Sequence, residues 1–244
     1  AVDVGGAIFM VMGANVGTTV TAKIVSLGHI TRKAEFRRAF AASSVHDTFN
    51  FITVAIMLPL EYRFHILENA AQHLGRIFID ITGVTKPENY LKKITQPVIE
   101  WMGDMLSDPA LLIVSVVITF LMLIFIVKLL QSLVLKKLEA FFDAYLFRNA
   151  AIAFTVGLCL TVLVQSSSIT TSLIVPLAGA GVLRLPQIFP FTIGANIGTT
   201  VTGLLAALAA ASAVTVLPGE PVPAAVVAGA TVAFAHLLFN LAGA

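Results

Sequence analysis

Charge is what this 244-residue chain has least of. Asp, Glu, Lys and Arg make up 11% of it, against about 25% in an average soluble domain, while 58% is hydrophobic. That balance cannot cover a soluble surface, so the solvent is mostly lipid. The net charge of +2 is too small to draw nucleic acid. The single cysteine, Cys159, stands in an apolar run. It cannot close an internal disulfide and reads as a small buried hydrophobe. Metal-ligand cysteine spacing and a phosphate-cradling P-loop are both missing, and no serine is paired with a base at motif spacing. An enzyme is therefore a poor fit.

What is present is a nonapeptide that occurs twice. Gly13-Ala14-Asn15-Val16-Gly17-Thr18-Thr19-Val20-Thr21 returns as Gly194-Ala195-Asn196-Ile197-Gly198-Thr199-Thr200-Val201-Thr202. A second echo follows each copy: His46, Asp47 and Asn50 after the first, His236, Leu237 and Asn240 after the second. The chain is thus two related halves. Polar, Gly-interrupted segments at matching places in a hydrophobic protein point to a transporter with its site between the repeats.

Apolar length, at about 20 residues per crossing, places the spans. They fall near 4–28, 39–60, 109–135, 188–211 and from 223 to the end. The stretch 61–107 is polar, and Phe64, Leu67, Ala71, Leu74 and Phe78 recur in it at helical spacing. That pattern predicts an amphipathic helix at the membrane interface, with Tyr90 and Trp101 suited to the headgroup zone. Residues 149–182 read as two thin spans or as a re-entrant hairpin with a polar tip; the hairpin is preferred, because Pro176, Gly179 and Gly181 cluster there. The expected organisation is 1–60 as the remainder of repeat 1, 61–108 as an outside linker, and 109–244 as repeat 2. The fold class is an all-α membrane protein with inverted-topology repeats and a broken-helix hairpin.

Lys and Arg concentrate at 29–38 and 136–148, which places both connections inside. The connection 212–222 has neither and goes outside. The two nonapeptides then point in opposite directions across the bilayer.

The densest chemistry is at 165–172, where Gln165, Ser166, Ser167, Ser168, Thr170, Thr171 and Ser172 leave only Ile169 apolar. Hydroxyl, amide and carbonyl oxygens suit a weakly held hard cation such as Na+, and broken helix ends add oriented dipoles. Seven polar residues in eight exceed what close helix packing asks for. In the nonapeptides, Asn15, Thr18, Thr19 and Thr21, with Asn196, Thr199, Thr200 and Thr202, are candidate ligands. Gly13/Gly17 and Gly194/Gly198 have the spacing of a packing face as well. His46 and His236, with Asn50 and Asn240, read equally as architecture or as site. Asp47 is a cation or proton ligand, or pairs with His46, the pairing being slightly favoured. Lys23 lies near the inner end of its span and is expected to snorkel.

These residues resemble the type II sodium–phosphate cotransporter family, whose hallmarks are an inverted repeat, a Gln-Ser-Ser-Ser motif in each half and Gly-Ala-Asn-Ile-Gly-Thr-Thr segments downstream. Gln165-Ser166-Ser167-Ser168 and both nonapeptides match, and the pattern covers most of the chain outside 61–148. The resemblance implies Na+-driven uptake of inorganic phosphate, with Na+ as the co-transported ion at Gln165, Ser166, Thr199 and Thr202, and no other cofactor. It implies a multi-pass protein of the cell membrane, with lipid as its surroundings and a homodimer as a candidate assembly; short connections suggest a bacterial inner membrane. Carriers of another oxyanion, proton coupling through Asp47 and a non-transporting scaffold are the alternatives. At the spacing of the two nonapeptides, the first-half partner of Gln165 falls before residue 1. The expectation is a chain that lacks the N-terminal part of repeat 1.

Overall fold

The computed structural model describes residues 3–82, 90–107, 109–118, 121, 149–213 and 222–244. Among them there are helices and no strands. In chain order these are α1 (Val4–Thr18), α2 (Val20–Leu27), α3 (Lys33–Phe64), α4 (Ile66–Thr82) and α5 (Tyr90–Met105). Then come α6 (Pro109–Ile118), α7 (Ala150–Val164), α8 (Ser167–Ala180), α9 (Leu185–Ala213) and α10 (Ala224–Ala242). Contacts divide the chain into two units, 1–84 with 145–244, and 85–144.

The larger unit holds the repeated motifs. Its helices begin and end on recognisable residues. The Asp3 carboxylate accepts the Gly6 N–H at 2.8 Å to start α1, and the Asn149 side chain accepts the Ala151 N–H at 2.9 Å to start α7. Gly181, at φ +83°, ends α8 in the left-handed conformation that glycine adopts without strain. Arg38 of α3 reaches across and donates from Nε and Nη2 to the Gly179 carbonyl, at 2.9 and 2.6 Å. A cation thereby sits at the negative end of α8. The buried Glu61 carboxylate accepts the N–H groups of Leu67 and Glu68, at 2.6 and 3.0 Å, and so caps α4 from the end of α3.

Among the described residues, three helices are long and apolar enough to cross a membrane: Val4–Leu27, which joins α1 and α2, Leu185–Ala211 within α9, and Ala224–Ala242. The expected span at 39–60 lies inside α3 and is not among the three; Ser43, Ser44, His46, Asp47, Thr48, Asn50 and Thr53 dilute its apolar character. With 15 and 14 residues, α7 and α8 reach only about 22 Å, short of a hydrocarbon core of about 30 Å.

Glycine decides the tightest contact. A Cβ on Gly157 of α7 would lie 2.1 Å from the Phe191 carbonyl oxygen, and one on Gly194 would lie 2.0 Å from that of Phe154. One on Gly198 would lie 2.8 Å from both the Leu158 carbonyl oxygen and the Thr161 Cβ. The pairs advance together along both helices, so α7 and α9 run parallel with their backbones touching. Residues 191–198 are buried throughout.

Two sequence expectations change. The face of α4 is formed by Leu67, Ala71, Gly75 and Ile79, all buried, whereas Phe64 ends α3 and is exposed. A Cβ on Gly75 would be 3.3 Å from the Thr231 backbone nitrogen of α10. Protein therefore occupies this apolar face, because a small residue lets α10 approach more closely than lipid would. Cys159 is exposed, since the buried side of α7 runs through Ala153, Gly157, Leu160, Thr161 and Val164.

In the second unit, α5 carries a 2.7 Å hydrogen bond from Gln96 Nε2 to Glu100 Oε1 and exposes Trp101. The first ten residues of the expected third span form α6, which exposes Leu112, Ile113, Val116, Val117 and Ile118. The remainder of that span apart from Leu121, the connection 136–148 and the stretch 214–221 lie outside the described residues.

Candidate functional site

The polar octet is the junction between α7 and α8. Gln165 adopts a left-handed backbone, φ 57° and ψ 27°, which is uncommon for a residue with a side chain. Its exposed side chain donates from Nε2 to the Val162 carbonyl. Ser166 caps α8 by accepting the Ile169 N–H at 3.3 Å. Ser167 is buried. Thr170 and Thr171 turn their hydroxyls back onto the Ser166 and Ser167 carbonyls, at 3.0 and 2.8 Å. Ser168 reaches out of the octet: its hydroxyl donates to the Thr18 carbonyl at 3.2 Å. The first nonapeptide and the Gln-Ser-Ser-Ser segment are thereby in contact.

The two nonapeptides bend differently. At Thr18–Thr19 the ladder tightens, the Thr19 N–H bonding to Val16 three residues back, at 3.2 Å, and α1 gives way to α2. The second copy continues uninterrupted inside α9. Thr18, Thr19, Thr199 and Thr200 all bond their hydroxyls to carbonyls of their own helix, at 2.8, 2.8, 3.2 and 2.7 Å. Thr21 is exposed, and the buried Thr202 Oγ1 has no partner. Among the described residues, no hydrogen bond joins Gln165 or Ser166 to Thr199 or Thr202.

The His and Asn echoes meet at the centre. His46 Nε2 donates to Asn196 Oδ1 at 3.3 Å, and His236 Nε2 donates to Asn15 Oδ1 at 3.4 Å. Each histidine thus serves the nonapeptide of the other half. Each echo asparagine serves its own: Asn50 Nδ2 donates to the Asn15 carbonyl at 3.3 Å, and Asn240 Nδ2 to the Asn196 carbonyl at 2.9 Å. Asn196 Nδ2 closes the network on Asn240 Oδ1 at 3.1 Å and on Asn50 Oδ1 at 3.4 Å. Sequence pattern found these six residues, but not the exchange of partners between halves.

The charged groups correct two expectations. Asp47 Oδ2 pairs with Lys23 Nζ at 2.8 Å rather than with His46. Lys23 also donates to Ser44 Oγ at 2.5 Å and lies 4.0 Å from the centre of the Phe40 ring, so it is held in place and does not snorkel. A separate group of ligating side chains, Glu61, His65 and Glu68, lies at the α3–α4 corner, where Glu61 is already engaged as a cap. Two neighbours of the motifs give no site signal in the sequence: Arg38, which reads only as an orientation signal and caps α8, and Thr161, a lone hydroxyl in an apolar run that packs against Gly198.

Long apolar helices, a helix break rich in uncharged oxygen and a buried polar network between two like halves define an all-α membrane protein. The chain belongs to the Na+/Pi-cotransporter family, whose description its residues 112–241 match. It is similar to sodium-dependent phosphate transport protein 2B of Homo sapiens, with 30% identity over 98% of this chain and 46% of that protein. It is also similar to sodium-dependent phosphate transport protein 2A of Rattus norvegicus, with 30% identity over 99% of this chain and 48% of that protein. The chain spans about half the length of the curated relatives it matches. No solved structure matches it.

Proposed function

We propose that this chain forms the site-bearing part of a multi-pass cell-membrane carrier that couples Na+ entry to uptake of inorganic phosphate by alternating access. Residues 1–60 and 109–244 are two repeats of opposite orientation, and α7–α8 is a re-entrant hairpin. The observation that carries the reading is the Ser168–Thr18 contact, which joins the Gln-Ser-Ser-Ser segment of one half to the nonapeptide of the other. The names of the relatives supply the substrates. Support also comes from the partner exchange of His46 and His236, from the strained backbone of Gln165, and from the parallel register of α7 and α9, which carries Gln165 toward the level of Thr202.

On this reading Gln165, Ser166, Thr199 and Thr202 hold Na+, while Ser167, Ser168, Thr170, Thr171, Thr18, Thr19, Thr21 and Thr200 line the phosphate path. Asn15 and Asn196 brace it from the central network. The octet and the second nonapeptide contain no Lys or Arg. Phosphate there is balanced by co-bound Na+ and by the N-terminal N–H groups of α8. Each ion then lowers the cost of desolvating the other, and by reciprocity each tightens the other's binding. The Na+ gradient drives uptake through that coupling.

The test is radiolabelled phosphate uptake into proteoliposomes containing the full parent protein. Uptake should require an inward Na+ gradient, and equal uptake with choline in place of Na+ would sink the reading. Gln165→Ala and Thr199→Val should each raise the half-saturating Na+ concentration about tenfold or more, since remaining ligands stay desolvated when one is lost. Unchanged Na+ activation in both, normalised to folded protein, would remove these residues from the ion site.

A further inference from the structure

Helical hydroxyls in this chain commonly turn back onto a carbonyl one turn earlier. Thr155, Thr192 and Thr231 do so at 2.8, 2.9 and 2.8 Å, and so do Thr170, Thr171 and Thr199. Thr161 does not. It is completely buried in the last turn of α7, and its Oγ1 has no hydrogen-bond partner. An apolar residue of the same shape would fill this place without leaving a polar atom unpaired, so the hydroxyl calls for a reason.

Its surroundings give one. Thr161 packs against Gly198 of the second nonapeptide, whose missing Cβ would lie 2.8 Å from the Thr161 Cβ. Four residues on, and so on the same face of α9, Thr202 carries a second buried hydroxyl without a partner. Gln165 begins its left-handed turn four residues after Thr161, and its N–H bonds back to the Thr161 carbonyl at 2.7 Å. The end of α7 gathers carbonyl oxygens and the negative pole of the helix, which favours a cation over an anion.

We propose that the Thr161 hydroxyl is a Na+ ligand of this site, a member contained in neither the nonapeptides nor the Gln-Ser-Ser-Ser segment. The inference rests on the Na+-coupled reading above. Thr161 and Thr202 approach the ion from facing helices, so occupancy would tie the tip of the α7–α8 hairpin to α9.

The experiment measures the melting temperature of the purified full chain in detergent against Na+ concentration. Choline holds the ionic strength constant and inorganic phosphate is present throughout. Thr161→Val should leave the Na+-free melting temperature unchanged or raised, because it removes an unsatisfied buried hydroxyl. It should shift the half-saturating Na+ concentration upward about tenfold or more. Thr161→Ser should retain the parent response. A parent that responds to Na+ and a Thr161→Val variant with the same midpoint would overturn this inference alone. A Thr161→Val variant that melts lower without Na+ and keeps the parent midpoint would mark Thr161 as packing only. A parent with no Na+-specific response would overturn both this inference and the reading beneath it.

Discussion

Gly194 and Gly13 hold the same place in the same nonapeptide, yet their neighbours differ completely. A methyl on Gly194 would collide with the Phe154 carbonyl oxygen at 2.0 Å; one on Gly13 would meet nothing within 4 Å. Gly198 and Gly17 repeat the contrast. The second copy is sheathed by α7, while Gly13, Ala14 and Gly17 of the first copy are exposed. One sequence thus serves as a packing face in one half and as an open face in the other. The packing reading of the Gly pair holds for the second copy, where Gly198 packs on Thr161, and the same copy leaves the Thr202 hydroxyl unpaired.

The largest effect that tests this contrast is Gly194→Ala against Gly13→Ala. The first forces two backbones apart and should cost about 3 kcal/mol or more, enough to lose folded protein. The second should be neutral or stabilising by up to about 1 kcal/mol, the helix propensity gained over glycine. Thermal melting in detergent reads both, and similar losses in the two variants would break the comparison.

A smaller effect lies in the ion pair. The first half has Lys23 and Asp47 where the second has Leu204 and Leu237. Asp47→Leu alone should destabilise by about 2–3 kcal/mol, because Lys23 is left partly buried without its partner. The double variant Lys23→Leu/Asp47→Leu, which copies the second half, should recover most of that loss. A double variant as unstable as the single one would mean that the pair holds more than its own charges.

Next in size is Asn196→Ala against Asn15→Ala. The Asn196 side chain donates to Asn240 and Asn50 and accepts from His46; the Asn15 side chain accepts from His236 and donates to the Val11 carbonyl of its own helix. The expected losses are about 2–3 kcal/mol and about 1 kcal/mol, again read by melting. The reverse order would place the centre of the network in the first copy.

The smallest effect is at the basic connection. A hydrogen bond from His29, and a second from Arg32, hold the Glu35 carboxyl below its usual value of 4.5. Its contribution is therefore complete above about pH 4.5 and fades as pH falls through the lower folded value. Glu35→Gln should flatten this acid limb of the melting curve slightly, and an unchanged limb would show that the cluster is without effect on stability.

Patterns of local origin were legible in the sequence. Apolar length located α9 and α10, and the oxygen-rich octet located the α7–α8 break, because a helix turns where side chains compete for its backbone. The His and Asn echoes marked the central network in the same way. What escaped the sequence depends on neighbours brought in from far along the chain. Cys159 is exposed because the opposite face of α7 meets α9, and α4 presents its apolar face to α10 because Gly75 permits close approach. Lys23 finds Asp47 instead of water, and Arg38 finds the end of α8. Thr161 was invisible for the same reason, since only the failure of its hydroxyl to find a carbonyl sets it apart.

In the proposed function, the two like halves cross the membrane in opposite directions to build one site. Single cysteines at Thr31 and at Ser212, in a Cys159→Ala background that removes the exposed native thiol, test it directly with a membrane-impermeant thiol reagent. Thr31 should label only from the inside of sealed vesicles and Ser212 only from the outside. Labelling of both from one side would contradict the inverted repeat, and with it the convergence of the two nonapeptides on a single transport site.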